Sequence, residues 1–403
     1  MSFAPRPPST HLLAGGEYSV MLTAAGSGYS RWRDIAVTRW REDPTLDPYG
    51  FFVFLRDVDN GTVWSAGYQP VGREPERYEV SFSEGRAEIR RKDGPILTTS
   101  EVIVSPEMSA EARRISITNT ARTTREIELT TYAEVVLANP AADAAHPAFS
   151  KMFVQTEYAS DEGALLATRR TREPGEPSAW MFHVSALDGR AVGALQFETD
   201  RARFLGRGRD LRSAVSIVDA RPLSDTTGTV LDPVVSLRRR VRVPPGATAR
   251  IDFWSGVAPS RAEALACAGK LREMAAFDRA KALAAAHAQA ALDDLKISSD
   301  EALEFQRTAS GVLYFGSALR AAPEILSRNQ SGPPVLWASG ISGDLPIVLV
   351  EIEDDSGLPT VERMLRAHAY WRLKRLAVDL VVWNEAADAA ALAAKLEAAV
   401  GES

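Results

Sequence analysis

Within residues 28–73, three of the chain's eight tryptophans, Trp32, Trp40 and Trp64, stand among Arg31, Arg33, Asp34, Arg39, Arg41, Asp57 and Asp59. That mixture suits recognition of a polyhydroxylated ring. An indole stacks on the apolar face of a pyranose, while carboxylates and guanidinia bond its hydroxyls. The same residue types also build a β-sandwich, which needs buried Trp and a solvated charged rim. Composition leaves both readings open.

A second cluster pairs Trp337 with Gly340-Ile341-Ser342-Gly343-Asp344. Its glycines would let the backbone approach a sugar, with Asp344 accepting from a hydroxyl; equally, the segment is a turn whose Asp caps the next element. It follows no strand–loop–helix phosphate pattern, so it is neither a P-loop nor a dinucleotide fingerprint. Arg56-Asp57-Val58-Asp59-Asn60-Gly61 reads as a hairpin turn, because a calcium loop needs spaced carboxylates and a terminal Glu that are missing. Five scattered histidines form no HxH or HExxH pattern, and His146, before Pro147, reads as a satisfied loop residue. No metal or other cofactor is expected. No Ser–His or Cys–His catalytic motif is visible.

These residues must be carried by something, and the patterning says what. Residues 17–257 read as a long run of strands, including Tyr18–Thr23, Ile35–Arg41, Phe51–Arg56, Arg86–Arg91, Glu126–Leu137 and Val234–Val243. Ile115 and Ile117, then Ile127 and Leu129, alternate with polar residues, which buries one face and wets the other. Asp59-Asn60-Gly61, Glu84-Gly85 and Lys92-Asp93-Gly94 punctuate the runs as turns. So many antiparallel strands imply two large stacked sheets. Residues 1–16, rich in Pro and Gly, read as a loose lead-in. The Arg238-Arg239-Arg240-Val241-Arg242 run reads as a solvated strand rim spread over both faces, not as one basic patch for nucleic acid.

After residue 257 the period changes. Ser260-Arg261-Ala262-Glu263 and Ser298-Ser299-Asp300-Glu301 are capping boxes that open helices. An Ala-rich helix covers Ala276–Leu295 between them. Residues 258–330 are therefore a helical linker. Residues 331–403 read as a loop, a strand–helix–strand unit (Ile347–Ile352, Pro359–Leu376, Val378–Trp383) and a last helix at Ala386–Val400.

The totals bound the function. The net charge of −6 gives non-specific nucleic-acid binding no electrostatic basis, and nucleic acid is not an expected partner. Seven of the 47 basic residues are Lys, so planar guanidinium forks dominate. A single cysteine, Cys267, excludes an internal disulfide and a Cys-based metal site, which fits a reducing compartment. No apolar run reaches membrane-spanning length, and the N-terminus lacks a signal-peptide pattern. A soluble, cytoplasmic chain is expected.

Several segments carry a resemblance. Residues 28–73, Thr131-Tyr132-Ala133-Glu134-Val135-Val136, Ala144-Ala145-His146-Pro147-Ala148-Phe149-Ser150, 199–208, Val230-Leu231-Asp232-Pro233, Leu237–Val241, 336–350 and 368–380 together resemble the supersandwich region of cyclic β-1,2-glucan synthases. That region is similar to glycoside hydrolase family 94, formerly glycosyltransferase family 36. The resemblance implies a large antiparallel β-supersandwich of galactose mutarotase-like fold, then a helical linker, then an incomplete helical or α+β part. It also implies a piece of a much longer inner-membrane enzyme. In the resembled phosphorylases this sandwich lends a loop to a sugar site, often across a dimer. By that analogy Trp32 would stack, Arg31 and Arg33 would take hydroxyl or phosphate, Asp34 would orient an arginine, and Trp40, Trp64, Trp337 and Asp344 would add to the surface. The implied partners are a β-glucan oligosaccharide or polysaccharide, phosphate, the remaining domains of a synthase, and a second copy. Glycosidic cleavage needs a carboxylic acid on the leaving oxygen. In the resembled enzymes that acid lies in an (α/α)₆ barrel, whose acid motif has no counterpart here. Three functions follow from this sequence: a glucan-binding module that is catalytically incomplete alone, an active phosphorylase or transglycosylase, or a scaffold without sugar affinity.

Overall fold

The computed structural model describes residues 8–171, 178–315, 320–386 and 389–401. Its contacts divide into two compact units, His11–Ala288 and Met1–Thr10 with Gln289–Ser403.

The described strands up to residue 258 are β1 (Thr10–Gly15), β2 (Tyr18–Thr23), β3 (Gly28–Trp32), β4 (Ile35–Thr38), β5 (Phe52–Asp57), β6 (Val63–Ser65), β7 (Arg77–Ser83), β8 (Arg86–Asp93), β9 (Ile96–Val104), β10 (Ala110–Asn119), β11 (Arg125–Ala138), β12 (Val154–Ala159), β13 (Ala164–Arg169), β14 (Trp180–Asp188), β15 (Arg190–Ala191), β16 (Gln196–Asp200), β17 (Pro233–Val243) and β18 (Thr248–Ala258). They form a ten-stranded sheet along β1-β2-β3-β4-β11-β17-β15, joined by β5, β6 and β16, and an eight-stranded sheet ordered β12-β13-β14-β18-β10-β9-β8-β7. The supersandwich expected from the two-residue period is present.

Strand β11 shows how the period sorts residues. Ile127, Leu129, Ala133 and Val135 point inward, where they meet Ile115, Ile251 and Phe253 of the other sheet. The even-numbered residues between them point outward, because successive side chains alternate across a strand. Glu126 and Glu128 therefore face Arg242 and Arg240 of β17, with N–O distances of 2.5 and 2.8 Å. Arg238, on the same face, is buried and donates to Thr130 Oγ1 at 2.9 Å and to Arg221 O at 2.9 Å. The arginine run is thus a paired ladder, and the solvated rim expected from its charge is corrected: Glu126 and Glu128 lie opposite it in the register.

Where the sequence signal was weak, the structure differs. Thr10–Gly15, expected in a loose lead-in, is a buried edge strand. Residues 1–7 of that lead-in lie outside the described residues. Gly28–Trp32, expected in a ligand-facing loop, is strand β3, and Arg33-Asp34 form the tight turn into β4. Arg33 occupies the left-handed region at φ 56°. At Gly28 a Cβ would lie 1.8 Å from Met21 O, so only glycine lets β3 pair with β2 there.

Helices cover the outer faces. In the first unit these are α1 (Pro140–Ala145), α2 (Pro147–Lys151), α3 (Arg201–Leu205), α4 (Val215–Val218), α5 (Arg261–Lys270) and α6 (Met274–Leu295), the last crossing the division between units. Ala264, Leu271 and Phe277 of this helical layer bury Trp254 and Phe182 on the outer face of the eight-stranded sheet. Phe204 and Ile217 cover Phe54 and Tyr132 on the outer face of the ten-stranded sheet.

The second unit holds α7 (Ser299–Leu313), α8 (Pro323–Leu326), α9 (Pro334–Trp337), β19 (Ile347–Ile352), α10 (Leu358–Leu373), β20 (Asp379–Asn384) and α11 (Ala389–Gly401). The Ser298–Glu301 capping box opens α7, with both reciprocal bonds made. Strands β19 and β20 pair in parallel, as a strand–helix–strand connection requires. Val350, Ile352, Val361 and Leu392 form their core. No helix among the described residues is long and apolar enough to cross a membrane.

Candidate functional site

Two of the tryptophans that suggested sugar recognition, Trp32 and Trp64, are structural. Trp32 is 2% exposed and belongs to the inter-sheet core, with the Arg33 guanidinium 4.5 Å above its ring. Trp64 is buried as well and donates from Nε1 to Thr98 Oγ1 at 3.3 Å. Neither ring has a face for a pyranose, because an alternating strand turns such side chains into the core. Trp40 is half-buried, edge-on to Tyr29 at 5.4 Å. Arg31 lies 4.3 Å over the Tyr29 ring, and Arg33 pairs with Glu17 at 2.8 Å. In the second unit, Trp337 is 61% exposed and donates to Ser342 O at 3.1 Å, while the exposed Asp344 donates its backbone N–H to Ser342 Oγ at 3.2 Å. Asp34, of the residues expected in the first unit, opens onto a substantial cleft.

That cleft, of about 400 Å³, lies beside the end of β11 and helices α1 and α2. Its chemistry comes from Asp34, Asn139, His146, Phe149 and Arg169. Phe149 is 51% exposed and packs edge-to-face on Phe153 at 5.0 Å. Arg169 donates to Ser150 O at 2.8 Å, which ties strand β13 to the end of α2. The chain enters the helices through an irregularity. The pairing of β11 with β4 slips between Val135 and Ala138, and Leu137 takes a left-handed φ of 52°. A bulky residue in that region is costly and persists only where its surroundings demand it. Here it turns the chain off the sheet into α1, whose first turn Asn139 caps by accepting from Ala141 N at 2.9 Å.

A second cleft, of about 500 Å³, lies on the other side of the same helices. Glu134, Pro147 and Lys151 form part of its wall, Arg39, Arg41 and Tyr49 come from the segment after β4, and Arg201 with residues 209–212 completes it. Gly206 sets the course of that last segment: it ends α3 at φ 83°, and a Cβ there would lie 2.5 Å from Val215 Cγ1.

An ion-pair network underlies the second cleft. Arg39 grips Asp143 through two bonds of 3.0 and 2.9 Å and reaches Glu134 at 2.7 Å. Glu134 also accepts from Arg201 at 2.8 Å and from Tyr132 at 3.1 Å. Asp232 takes Lys151 at 2.7 Å and Arg201 at 3.4 Å. Burial opposes the charges of Arg39, Glu134, Asp143 and Arg201, but their partners outweigh it. Glu134 is held below the usual carboxylate range, chiefly by Arg201 and Arg39, and Asp143 likewise by Arg39. Burial, then the adjacent Glu134 charge, push the Tyr132 phenol well up. Arg39 and Arg201 are raised by the same carboxylates.

Sequence reasoning did not select Glu134, Asp143, Phe149, Arg201 or Asp232 as site residues. A signal existed: four of the five lie inside the short segments at 131–136, 144–150, 199–208 and 230–233 that carry the family resemblance. These segments are far apart in the chain and converge on the two clefts.

Comparison with known proteins identifies the family. The glycosyl hydrolase 94 supersandwich domain matches residues 3–274. The chain is 40% identical over 378 residues to the cyclic β-(1,2)-glucan synthase NdvB of Rhizobium meliloti (strain 1021), covering 94% of this chain and 13% of that protein. It is 24% identical over 263 residues to the N,N'-diacetylchitobiose phosphorylase of Vibrio furnissii, covering 64% of this chain and 32% of that enzyme. The chain therefore spans a minor part of the length of either relative. Among solved structures, a bacterial glucoamylase in complex with acarbose aligns over 76% of this chain and 43% of its own, at 10% identity and a TM-score of 0.47.

Proposed function

The chain belongs to the glycosyl hydrolase 94 supersandwich family, and on that premise we propose that it binds and positions a β-glucan for a cyclic β-1,2-glucan synthase-like protein, being catalytically incomplete by itself. The observation that carries this reading is the half-exposed Phe149 ring on a cleft that also presents Asp34, Asn139 and His146. An aromatic face flanked by short polar side chains is the arrangement that holds a pyranose: the ring stacks, and the polar groups take the hydroxyls. NdvB is named for making a cyclic β-(1,2)-glucan, which makes a β-1,2-linked chain the first ligand to try. The remaining length of such a synthase, which would place this module on the cytoplasmic side of an inner membrane, is the partner in this reading.

Catalytic incompleteness has a physical support. A glycosidic acid must hold its proton near neutral pH, so its pKa is raised. Glu134 is instead ion-paired and held ionised.

The test is calorimetric titration of the chain with linear β-1,2-linked glucan oligosaccharides. Saturable binding that weakens in Phe149→Ala, with the melting temperature of the free protein unchanged, is the expected result. Absence of heat and of any thermal shift would reject the binding role and leave a scaffold. Glucan turnover in the same samples, with or without phosphate, would replace it with the phosphorylase or transglycosylase reading.

A further inference from the structure

The parallel strand pair of the second unit has one covered face and one bare face. Residues in register across parallel strands share a face, so Val350 and its partner Val382 point together into the core made with α10 and α11. Ile347, Leu349 and Glu351 of β19, with Asp379, Val381 and Trp383 of β20, point the other way. Leu349 is 52% exposed and Trp383 56%. A parallel sheet is normally covered by helices on both faces. Here the uncovered face has the make-up of a covered one: Ile347, Leu349, Val381 and Trp383 form a continuous apolar band across it. The register sets its two charged residues at opposite corners, Asp379 beside Ile347 and Glu351 beside Trp383. Neither carboxylate has an ion-pair partner among the described residues.

We propose that this face is the docking site for an amphipathic helix of a partner polypeptide, with an apolar ridge for the band and Lys or Arg at both ends for Glu351 and Asp379. The dimensions fit one helix. Neighbouring strands lie about 4.8 Å apart, and strands of six residues run about 20 Å. A helix about 10–12 Å across covers that width, and about 13 residues at 1.5 Å each cover that length. Apolar residues at i, i+3, i+4 and i+7 supply the ridge, which is how a helix is read by an apolar surface. Charge separates this occupant from two others. A second copy stacked on the same face would set Glu351 and Asp379 against apolar residues or against each other, with no cation to meet them. An anionic lipid surface would repel both carboxylates. A cationic helix margin pairs with them. The site lies within the second unit and does not rest on the glucan reading of the first cleft.

The experiment titrates the full chain by calorimetry, at matched ionic strength, with synthetic peptides of about 14 residues. One is a Leu/Lys amphipathic helix, one has the same composition scrambled to break the helical period, and one is the Leu/Glu counterpart of the first. Saturable binding of the Leu/Lys helix, and of neither other peptide, is expected. Leu349→Asp should weaken it by at least about tenfold, through loss of an apolar side chain from the contact. The double variant E351K/D379K should reverse the preference, so that the Leu/Glu helix binds and the Leu/Lys helix does not. None of the three side chains is buried, so the melting temperature of either variant without peptide should match the parent. Failure of the Leu/Lys helix to bind, equal binding of the scrambled peptide, or binding that Leu349→Asp leaves intact overturns the proposal. Concentration-dependent dimerisation in ultracentrifugation that Leu349→Asp abolishes also overturns it and names a second copy as the occupant. Co-sedimentation with phosphatidylglycerol vesicles that the same variant abolishes overturns it in favour of a lipid surface.

Discussion

The two clefts share the wall built by α1 and α2, yet hold different chemistry. On one side Ala142, Ala145, His146 and Phe149 present an apolar and aromatic surface with few charges. On the other, the same hairpin contributes Lys151 to the lining and Asp143 to a network of three cations and three carboxylates. The difference comes from which side of each helix faces the sheet. Asp143 is buried against Arg39, while Ala142 and Ala145, on either side of it in sequence, line the first cleft. A short helix can thus partition one sheet face into a neutral site and a charged one. The neutral side depends on a single exposed ring, the charged side on mutual support among buried groups.

The sharpest way to break this contrast is at Glu134. Replacing it with Ala takes one carboxylate out of a buried network and leaves Arg39 with Asp143 and Arg201 with Asp232, and stability should fall by about 3 kcal/mol, read as a lower urea midpoint at unchanged slope. Glucan affinity of the protein that remains folded should persist. If it vanishes too, the clefts are one site.

Acid should come next in size, and it acts on the core behind both clefts. His183 is wholly buried between the sheets. Its Nδ1–H donates to Trp254 O at 3.0 Å, and its Nε2 accepts from Thr131 Oγ1 at 2.9 Å. Burial lowers its pKa from 6.5 to about 4. The unfolded chain then binds the proton first, so the stability is complete above pH 6.5 and is lost as pH falls toward 4. The loss over that window is about 3 kcal/mol. Glu134 and Asp143, also lowered, add losses of the same sign at lower pH. Chemical denaturation across the window checks the slope; a flat profile between pH 6.5 and 4 would contradict the burial of a neutral imidazole there.

Smaller effects sharpen the neutral side. Phe149→Ala should cost about 2 kcal/mol of glucan binding, roughly thirtyfold in affinity. Asp34→Ala should cost about 1 kcal/mol, roughly fivefold, as the loss of one hydroxyl partner. Neither should shift the melting temperature by more than a degree or two, since both side chains are exposed. An Asp34 effect larger than the Phe149 effect would mean that charge, not stacking, governs this cleft as well.

Much of the fold was legible before any coordinates. Alternation in β10 and β11 marked inward and outward residues correctly, because a period of two follows from backbone geometry alone. The capping boxes at Ser260 and Ser298 marked two helix starts, because the bonds involved span three residues. Strands β1 and β3 were less visible. Both pair with strands adjacent in the chain, β1 with β2 and β3 with β2 and β4, but β1 follows a Pro-rich start and the Gly, Ser and Arg of β3 carry no local preference for a strand.

Site residues were legible only in part. Asp34 lines a cleft, since a tight turn exposes its side chain wherever the turn sits. Trp32 and Trp64 were misplaced because residue type says what a ring can do and not which face of the sheet it occupies. Local pattern determined that this chain forms stacked antiparallel sheets followed by helices, for those signals lie within a few residues of one another. The tertiary structure alone decided that residues near 34, 39, 134, 146, 201 and 232 share two clefts. Ion pairs across about a hundred residues of chain, such as Arg39 with Asp143, have no local period to announce them. They exist only once the sheet has brought their strands side by side.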